Sequence, residues 1–336
     1  PYAVKSWNEE YAYPRVVIAN SHDIMSAFDQ KFGDRIPSRS GEFTEYWSDG
    51  LGSAAKQTAL NRNAKERLIQ ADTLWSMLRP NDPAPRAKFD EAWRNVLMGS
   101  EHTWCYSDPH RQPLTNDILA VKFGFFQHAD EQSRHLLTES LNPVEDSAGQ
   151  AVTVFNTLSW PRSGLVTLPP GVAALADVPT QKLSTGETVF LAKDVPALGS
   201  VTYRTASSAK PATPADAPVR TAPAALDNGV VRVSLDPASG NIASLIRNGR
   251  EYVKGTANSY HYLKGGNAPS SASGPTEARI RVNESSPVLA SLLVESKADG
   301  CNWLKREVRL LAGQPQVEVT NTLDKLAITG KEGVHF

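Results

Sequence analysis

Cysteine is scarce in this chain of 336 residues: there are two, Cys105 and Cys301. Two thiols so far apart make no disulfide framework, and both are expected to pack as small hydrophobes. An excess of charge is lacking too, with 35 basic residues against 36 acidic ones. That balance argues against a nucleic acid or another polyanion as the main partner. No apolar run approaches the ~20 residues that a membrane helix needs, so no membrane partner is expected. The opening Pro1-Tyr2-Ala3-Val4-Lys5 has neither a start methionine nor a signal-peptide pattern. The closing Glu332-Gly333-Val334-His335-Phe336 carries no capping or tail signal. The expectation from both ends is a piece of a longer protein. What is present is enough length for two or three domains.

The periodicity changes along the chain. Arg15-Val16-Val17-Ile18-Ala19-Asn20 reads as a short buried strand, followed by a helix capped by Ser21 with Met25, Phe28 and Phe32 on one face. A lone strand and helix make no core, so residues 1–50 read as the tail of an α/β unit. From residue 51 to 143 the period is helical. Ala54 to Leu78 contains no Gly or Pro, and Leu60, Ala64, Leu68, Ala71 and Trp75 fall on one stripe. Pro80, Pro83 and Pro85 end it. A second helix is expected from Arg86 to Met98. A third starts after Thr115, runs through Ile118, Val121, Phe125, Leu136 and Leu137, and stops before Pro143. Three helices joined by Pro-rich turns predict a three-helix bundle.

After Gly149 the pattern is that of short strands and turns. Residues 150–222 read as a small β-domain, with strands at Ala151 to Asn156 and Leu165 to Leu168 and an Ala/Pro-rich connection from Lys210 to Pro223. Residues 226–336 read as the start of a larger antiparallel β-sandwich. Its opening strands, Val230 to Leu235 and Ile242 to Ile246, are joined by the turn Asp236-Pro237-Ala238-Ser239-Gly240. The predicted fold class is therefore multidomain α+β: an α/β remnant, a three-helix bundle, then antiparallel β-sandwich domains.

The stretch richest in chemistry is Glu91-Ala92-Trp93-Arg94-Asn95-Val96-Leu97-Met98-Gly99-Ser100-Glu101-His102-Thr103-Trp104. Ala92, Trp93, Val96 and Leu97 have helical spacing and are expected to face a core. Gly99-Ser100 weakens the helix, so His102 comes just past its end. A neutral imidazole there can reach into a cleft, and it is the commonest protein ligand for zinc. The bland alternative is a helix-end histidine bonded to a backbone carbonyl. His110, His128, His135 and His261 read as ordinary surface or packed histidines, and the His102-x-x-Cys105 spacing is too weak a signal to make Cys105 a ligand.

Five segments, taken in order, carry a resemblance to a known family. They are Gly41-Glu42-Phe43-Thr44-Glu45-Tyr46-Trp47-Ser48-Asp49-Gly50; Ala92 to Leu97 with Glu101-His102; Val154-Phe155-Asn156-Thr157-Leu158-Ser159-Trp160-Pro161-Arg162; Asp227-Asn228-Gly229-Val230-Val231-Arg232-Val233 with Asp236, Gly240 and Ser244-Leu245; and Asn258-Ser259-Tyr260-His261-Tyr262. Together they resemble the family 38 glycoside hydrolases, the retaining α-mannosidases. The resemblance implies a catalytic α/β barrel for which residues 1–50 are the tail, and a substrate that is an oligosaccharide or simpler mannoside. It implies a zinc ion held by a His-x-Asp, by the nucleophilic Asp and by a later His, and a covalent glycosyl intermediate opened by water with retention. The His-x-Asp, the nucleophile and most of the barrel have no match here. Ser21-His22-Asp23 places His directly before Asp and is not that motif. The chain by itself is therefore expected to be inactive.

Residue by residue, the resemblance makes His102 the late zinc ligand. Better-known animal members carry His before it and Asp after it. Here Glu101 precedes and Thr103 follows, so Glu101 or Trp104 is expected to take over a sugar contact. The acid that protonates the leaving oxygen must lie about 5 Å from the nucleophile. Glu45 is the nearest carboxyl to the matching aromatic pair Tyr46-Trp47, with Asp49 as the second candidate and Glu42 as a rival. Trp47, Trp104 and Tyr260 are the expected sugar-contacting aromatics, each with a flat apolar face and a polar edge. Two rival functions stand beside this one: a non-catalytic carbohydrate-binding or scaffold module, and an α-glycosidase of shifted sugar preference.

Overall fold

A computed structural model describes residues 1–39, 54–101, 111–142, 150–206, 218–265, 271–285, 287–328 and 330–336. The chain begins with helices α1 (Tyr2–Glu10) and α2 (Ser21–Phe32) and a short 3-10 turn, Gly33–Arg35. None of these elements has a buried residue. The expected strand at Arg15–Asn20 does not form. Its apolar side chains are open to solvent, with Val17 71% and Ile18 65% exposed. An apolar β-branched run becomes a strand only where a neighbour completes its ladder, and no described strand pairs with it. The cap of α2 is Asn20, not Ser21: the Asn20 side chain accepts from the Asp23 amide at 2.9 Å.

The bundle consists of α3 (Ala55–Leu78), α4 (Arg86–Gly99) and α5 (Leu114–Leu141). Ala64, Leu68, Ala71 and Trp75 of α3 meet Phe89, Ala92 and Val96 of α4, and Ala129 and Leu136 of α5. Two expected core positions move by one residue and a third is lost. Asn61 rather than Leu60 is buried on α3, Phe126 rather than Phe125 on α5, and Val121 is exposed. On α4, Leu97 faces solvent, Trp93 is half-buried, and Asn95 and Gly99 point inward. Small residues line the α5 face, namely Ala129, Ser133 and Ser140, which lets the helices approach closely. Polar ties cross the bundle as well, and Asp130 holds one of them. Asp130 accepts from Arg67 at 2.7 Å and from Arg134 at 2.9 Å. Burial works to raise its pKa, but the hydrogen bonds from Arg134 and Arg67 outweigh it and leave the carboxyl below its ordinary value.

Beyond the bundle every strand pair among the described residues is antiparallel. The small β-domain stacks the sheet order β1-β6-β3 on β2-β5-β4. Its strands are β1 (Ala151–Asn156), β2 (Arg162–Thr167), β3 (Ala174–Leu175), β4 (Thr180–Lys182), β5 (Thr188–Val195) and β6 (Gly199–Ala206). Leu168, Leu175, Phe190, Ala192 and Val195 fill the space between the two sheets.

The larger sandwich faces the five-stranded order β11-β10-β9-β8-β7 against β13-β14-β15-β16. The first sheet holds β7 (Arg220–Ala222), β8 (Ala225–Asp227), β9 (Val231–Leu235), β10 (Ile242–Arg247) and β11 (Arg250–Glu251). The second holds β13 (Thr276–Glu284), β14 (Leu289–Lys297), β15 (Cys301–Leu311) and β16 (Val317–Lys325). Strand β12 (His261–Lys264) pairs with β17 (Glu332–His335) beside them. Residues 220–222, expected at the end of the small domain, belong to the sandwich through β7. The preceding Val219 is buried with Leu226 in the sandwich core. The two β-units are joined. Gln181 Oε1 accepts from the amides of both Val288 and Leu289, and Glu284 Oε1 accepts from the Ser184 amide and hydroxyl.

The β10–β11 hairpin turns on Asn248 and Gly249, both with positive φ. It is stapled by one carboxylate. Glu251 accepts from the Ser244 hydroxyl and from the amides of Leu245, Tyr252 and Val253. The Ser244 hydroxyl, then the Leu245 and Val253 amides, favour the charged form and bring the Glu251 pKa down to about 2 from 4.5. A pKa depressed by folding adds stability above the unfolded value and loses it as pH falls through the folded one. Thermal unfolding of Glu251→Gln is therefore expected to show a smaller loss of Tm than the parent protein between pH 5 and pH 2, and equal losses would refute the staple.

Candidate functional site

The C-terminal end of α4 is where the sequence concentrates its chemistry, and the bundle fixes that end from two sides. Gly99 lies against α5: a Cβ added there would come within 3.1 Å of the Phe126 ring and 3.2 Å of Asn61 Oδ1. From α3, the Asn61 amide donates to Val96 O at 3.2 Å and to Ser100 Oγ at 2.9 Å. The Ser100 hydroxyl donates in turn to Val96 O at 2.8 Å. Free carbonyls at a helix end need such partners. Glu101 follows directly and pairs with Lys122 of α5 at 3.6 Å, with the Glu101 side chain 40% exposed. The helix thus ends at a fixed place, two residues before a half-exposed carboxylate and three before His102.

Asn61 Oδ1 and Thr58 Oγ1, one turn apart on α3, are buried and have no partner among the described residues. These two atoms, with Lys122 and Phe126, are what the sequence reading missed around the helix end. The available signal was Asn61 itself, a polar residue at helical spacing from Ala64 and Leu68.

Of the expected site residues, Glu101 and Tyr260 are described. His102, Glu45, Asp49, Trp47 and Trp104, with the rival Glu42, lie outside the described residues. Among the described residues no three of His, Cys, Asp and Glu gather closely enough to hold a metal ion. The described part therefore does not by itself fit zinc, and a centre involving His102 needs its other donors from elsewhere.

Tyr260 is not where a sugar contact would be. Its side chain is fully buried among Tyr262, Cys301 and Leu304, and Phe336 packs edge-on to its ring at 5.5 Å. Its hydroxyl donates to Asp299 O at 2.5 Å. Burial pushes that hydroxyl's pKa well above the ordinary phenol value. An aromatic in a polar loop can pack inward when a carbonyl satisfies its hydroxyl, and this one does. Cys301 packs beside it as a buried free thiol, as expected of a small hydrophobe.

No protein-family model matches the chain, and no curated protein does. Solved structures match its fold, among them the following two. One is a protein in glycosyl hydrolase family 38 from Enterococcus faecalis, with a TM-score of 0.62 and 13% identity. The other is an alpha-mannosidase from Enterococcus faecalis V583, with a TM-score of 0.60 and 14% identity. Each alignment covers 96% of this chain. The fold is the family 38 fold. The chain spans 48% of the length of each of these two proteins. The family 38 architecture accounts for the order in which bundle and β-units follow one another. The chemistry has to be argued from residues, because one fold hosts many functions.

Proposed function

We propose that this chain is part of a zinc-dependent retaining α-mannosidase and supplies the metal with one ligand, His102. Glu45 or Asp49 is the acid that protonates the leaving oxygen, and Trp47, Glu101 and Trp104 contact the sugar. The reading is carried by one observation: a family 38 fold over 96% of the chain. The fixed end of α4 supports it. Asn61, Ser100 and Gly99 anchor the backbone that leads into His102, and a ligand delivered from a rigid element needs less ordering on binding. The chemistry proposed for the chain's own carboxyls is proton donation to a departing sugar oxygen and later removal of a proton from the attacking water. The remaining zinc donors and the nucleophile come from other polypeptide.

The test is His102→Ala in the intact protein, with metal content and hydrolysis of an aryl α-mannoside measured together. The expected result is a loss of bound zinc and a drop in kcat/KM of at least about 100-fold, of the order seen when groups supporting a metal centre are removed. Unchanged zinc and unchanged rate would leave the scaffold or carbohydrate-binding module as the better account. Thr103, standing where an Asp is expected, favours a shifted sugar preference. A panel of α- and β-glycosides on the intact protein reads that directly.

A further inference from the structure

On α3 one buried residue breaks the apolar stripe. Ala64, Leu68, Ala71 and Trp75 are apolar, and the position before them at helical spacing holds Asn61, 8% exposed. One turn earlier, Thr58 also buries its hydroxyl oxygen without a partner among the described residues. Trp75 meets Phe89 at one end of the α3–α4 pair, and Asn61 meets Val96 and Ser100 at the other. The polar stretch of α3 is therefore the part that faces the end of α4.

Stability does not account for this asparagine. Val96 O already accepts from the Ser100 amide at 3.0 Å and from the Ser100 hydroxyl at 2.8 Å. Neither Val96 O nor the Ser100 hydroxyl is orphaned if the Asn61 amide is lost. Asn61 itself brings an Oδ1 that is buried and unpaired among the described residues. A hydrogen bond made in the interior adds little net stability, and a polar group left unpaired there costs as much or more. A leucine of similar shape would extend the stripe and remove the unpaired oxygen. What the amide adds is direction. It ties α3 to two atoms one turn apart in the last turn of α4, and no apolar side chain can do that. Local rules of packing are broken most often where a site needs it.

We propose that Asn61 is a positioning residue, which fixes the point where the chain leaves α4 and gives up stability to do so. Glu101 and His102 follow directly after that point. Under the hydrolase reading given above, the buried Asn61 acts on the rate through them.

The test is Asn61→Leu in the intact protein. Hydrogen exchange followed by mass spectrometry is expected to rise about tenfold or more over residues 96–101 and to stay unchanged over the Ala64–Trp75 stripe, because a helix end opens locally without global unfolding. The Tm is expected to hold within about 2 °C or to rise. With an aryl α-mannoside, kcat is expected to fall about tenfold to a hundredfold while KM stays within about twofold, the pattern of a displaced catalytic group. Unchanged exchange over residues 96–101, or a Tm lower by more than about 5 °C, would overturn the proposal. So would a normal kcat in Asn61→Leu where His102→Ala has lost its activity. An intact parent that hydrolyses no mannoside sinks the hydrolase reading alone, because exchange and Tm still decide whether Asn61 sets the helix end.

Discussion

Arg306→Ala is expected to destabilise the protein by about 3–5 kcal/mol, read as a shift in the urea midpoint with an unchanged slope. Arg306 is fully buried on β15. Its guanidinium donates to Asn241 Oδ1 at 2.7 Å, Asn258 O at 3.2 Å and Ser239 O at 2.5 Å. Burial lowers its pKa, and all three of these acceptors are neutral. Truncation would empty a large volume and leave three acceptors unsatisfied in a low-dielectric interior. The side chain also ties two loops to one strand, so its loss would loosen the 236–241 turn and the Asn258 loop together. Asn258 is held from the other side as well, by reciprocal amide bonds to Asn321 at 3.0 and 2.7 Å. A loss below about 1 kcal/mol would show that the interior at this point relaxes around an alanine.

Gly240→Ala is expected to be nearly as severe, about 2–5 kcal/mol by the same measurement. Gly240 has φ +71°, where a side chain is strained. Its missing Cβ would lie 2.3 Å from Val294 Cγ1 and 2.9 Å from Arg306 Nη2. The surrounding turn is otherwise well made: Asp236 Oδ1 accepts from the amides of Ala238 and Ser239 and from the Ser239 hydroxyl. The strain therefore has nowhere to go but into the Val294 contact and the guanidinium. Because Gly240 and Arg306 share this contact, their substitutions are expected not to add. In an Arg306→Ala background the glycine substitution should cost less than in the parent protein, and strict additivity would contradict the shared contact.

The sequence was most readable where one physical signal dominated. The Ala64–Leu68–Ala71–Trp75 stripe has one period and no breaker, and it packs as read. The Asp236–Gly240 turn carries its own side-chain bonds and forms where expected. Errors arose where two signals competed. Leu60 and Asn61 both flank the stripe, and the asparagine wins the buried place because Val96 O and Ser100 Oγ accept its amide. Arg15–Asn20 looks like a buried strand by composition, yet a strand is a property of two segments and no described segment pairs with it. Tyr260 is a sugar contact by the resemblance of its loop, but its burial depends on Asp299, Cys301 and Leu304, which come from the β14–β15 turn and from β15, about 40 residues further along. The site was legible only as the end of a helix. The sequence shows that α4 stops near Ser100, but not that Asn61 and Lys122 meet it there, since those contacts span 35 residues in one case and come from a separate helix in the other.

The bond from Gln181 to the start of β14 bears on how this protein can be divided. One side-chain oxygen answers two successive amides across the seam, and Leu183, Val189 and Leu191 lie against Val288, Leu289 and Leu311 beside it. A gene split between the two β-units would strip a greasy face from each product and strand a pair of protons without an acceptor. The two therefore form a single inheritable block, and shuffling experiments should cut ahead of β1 rather than between them.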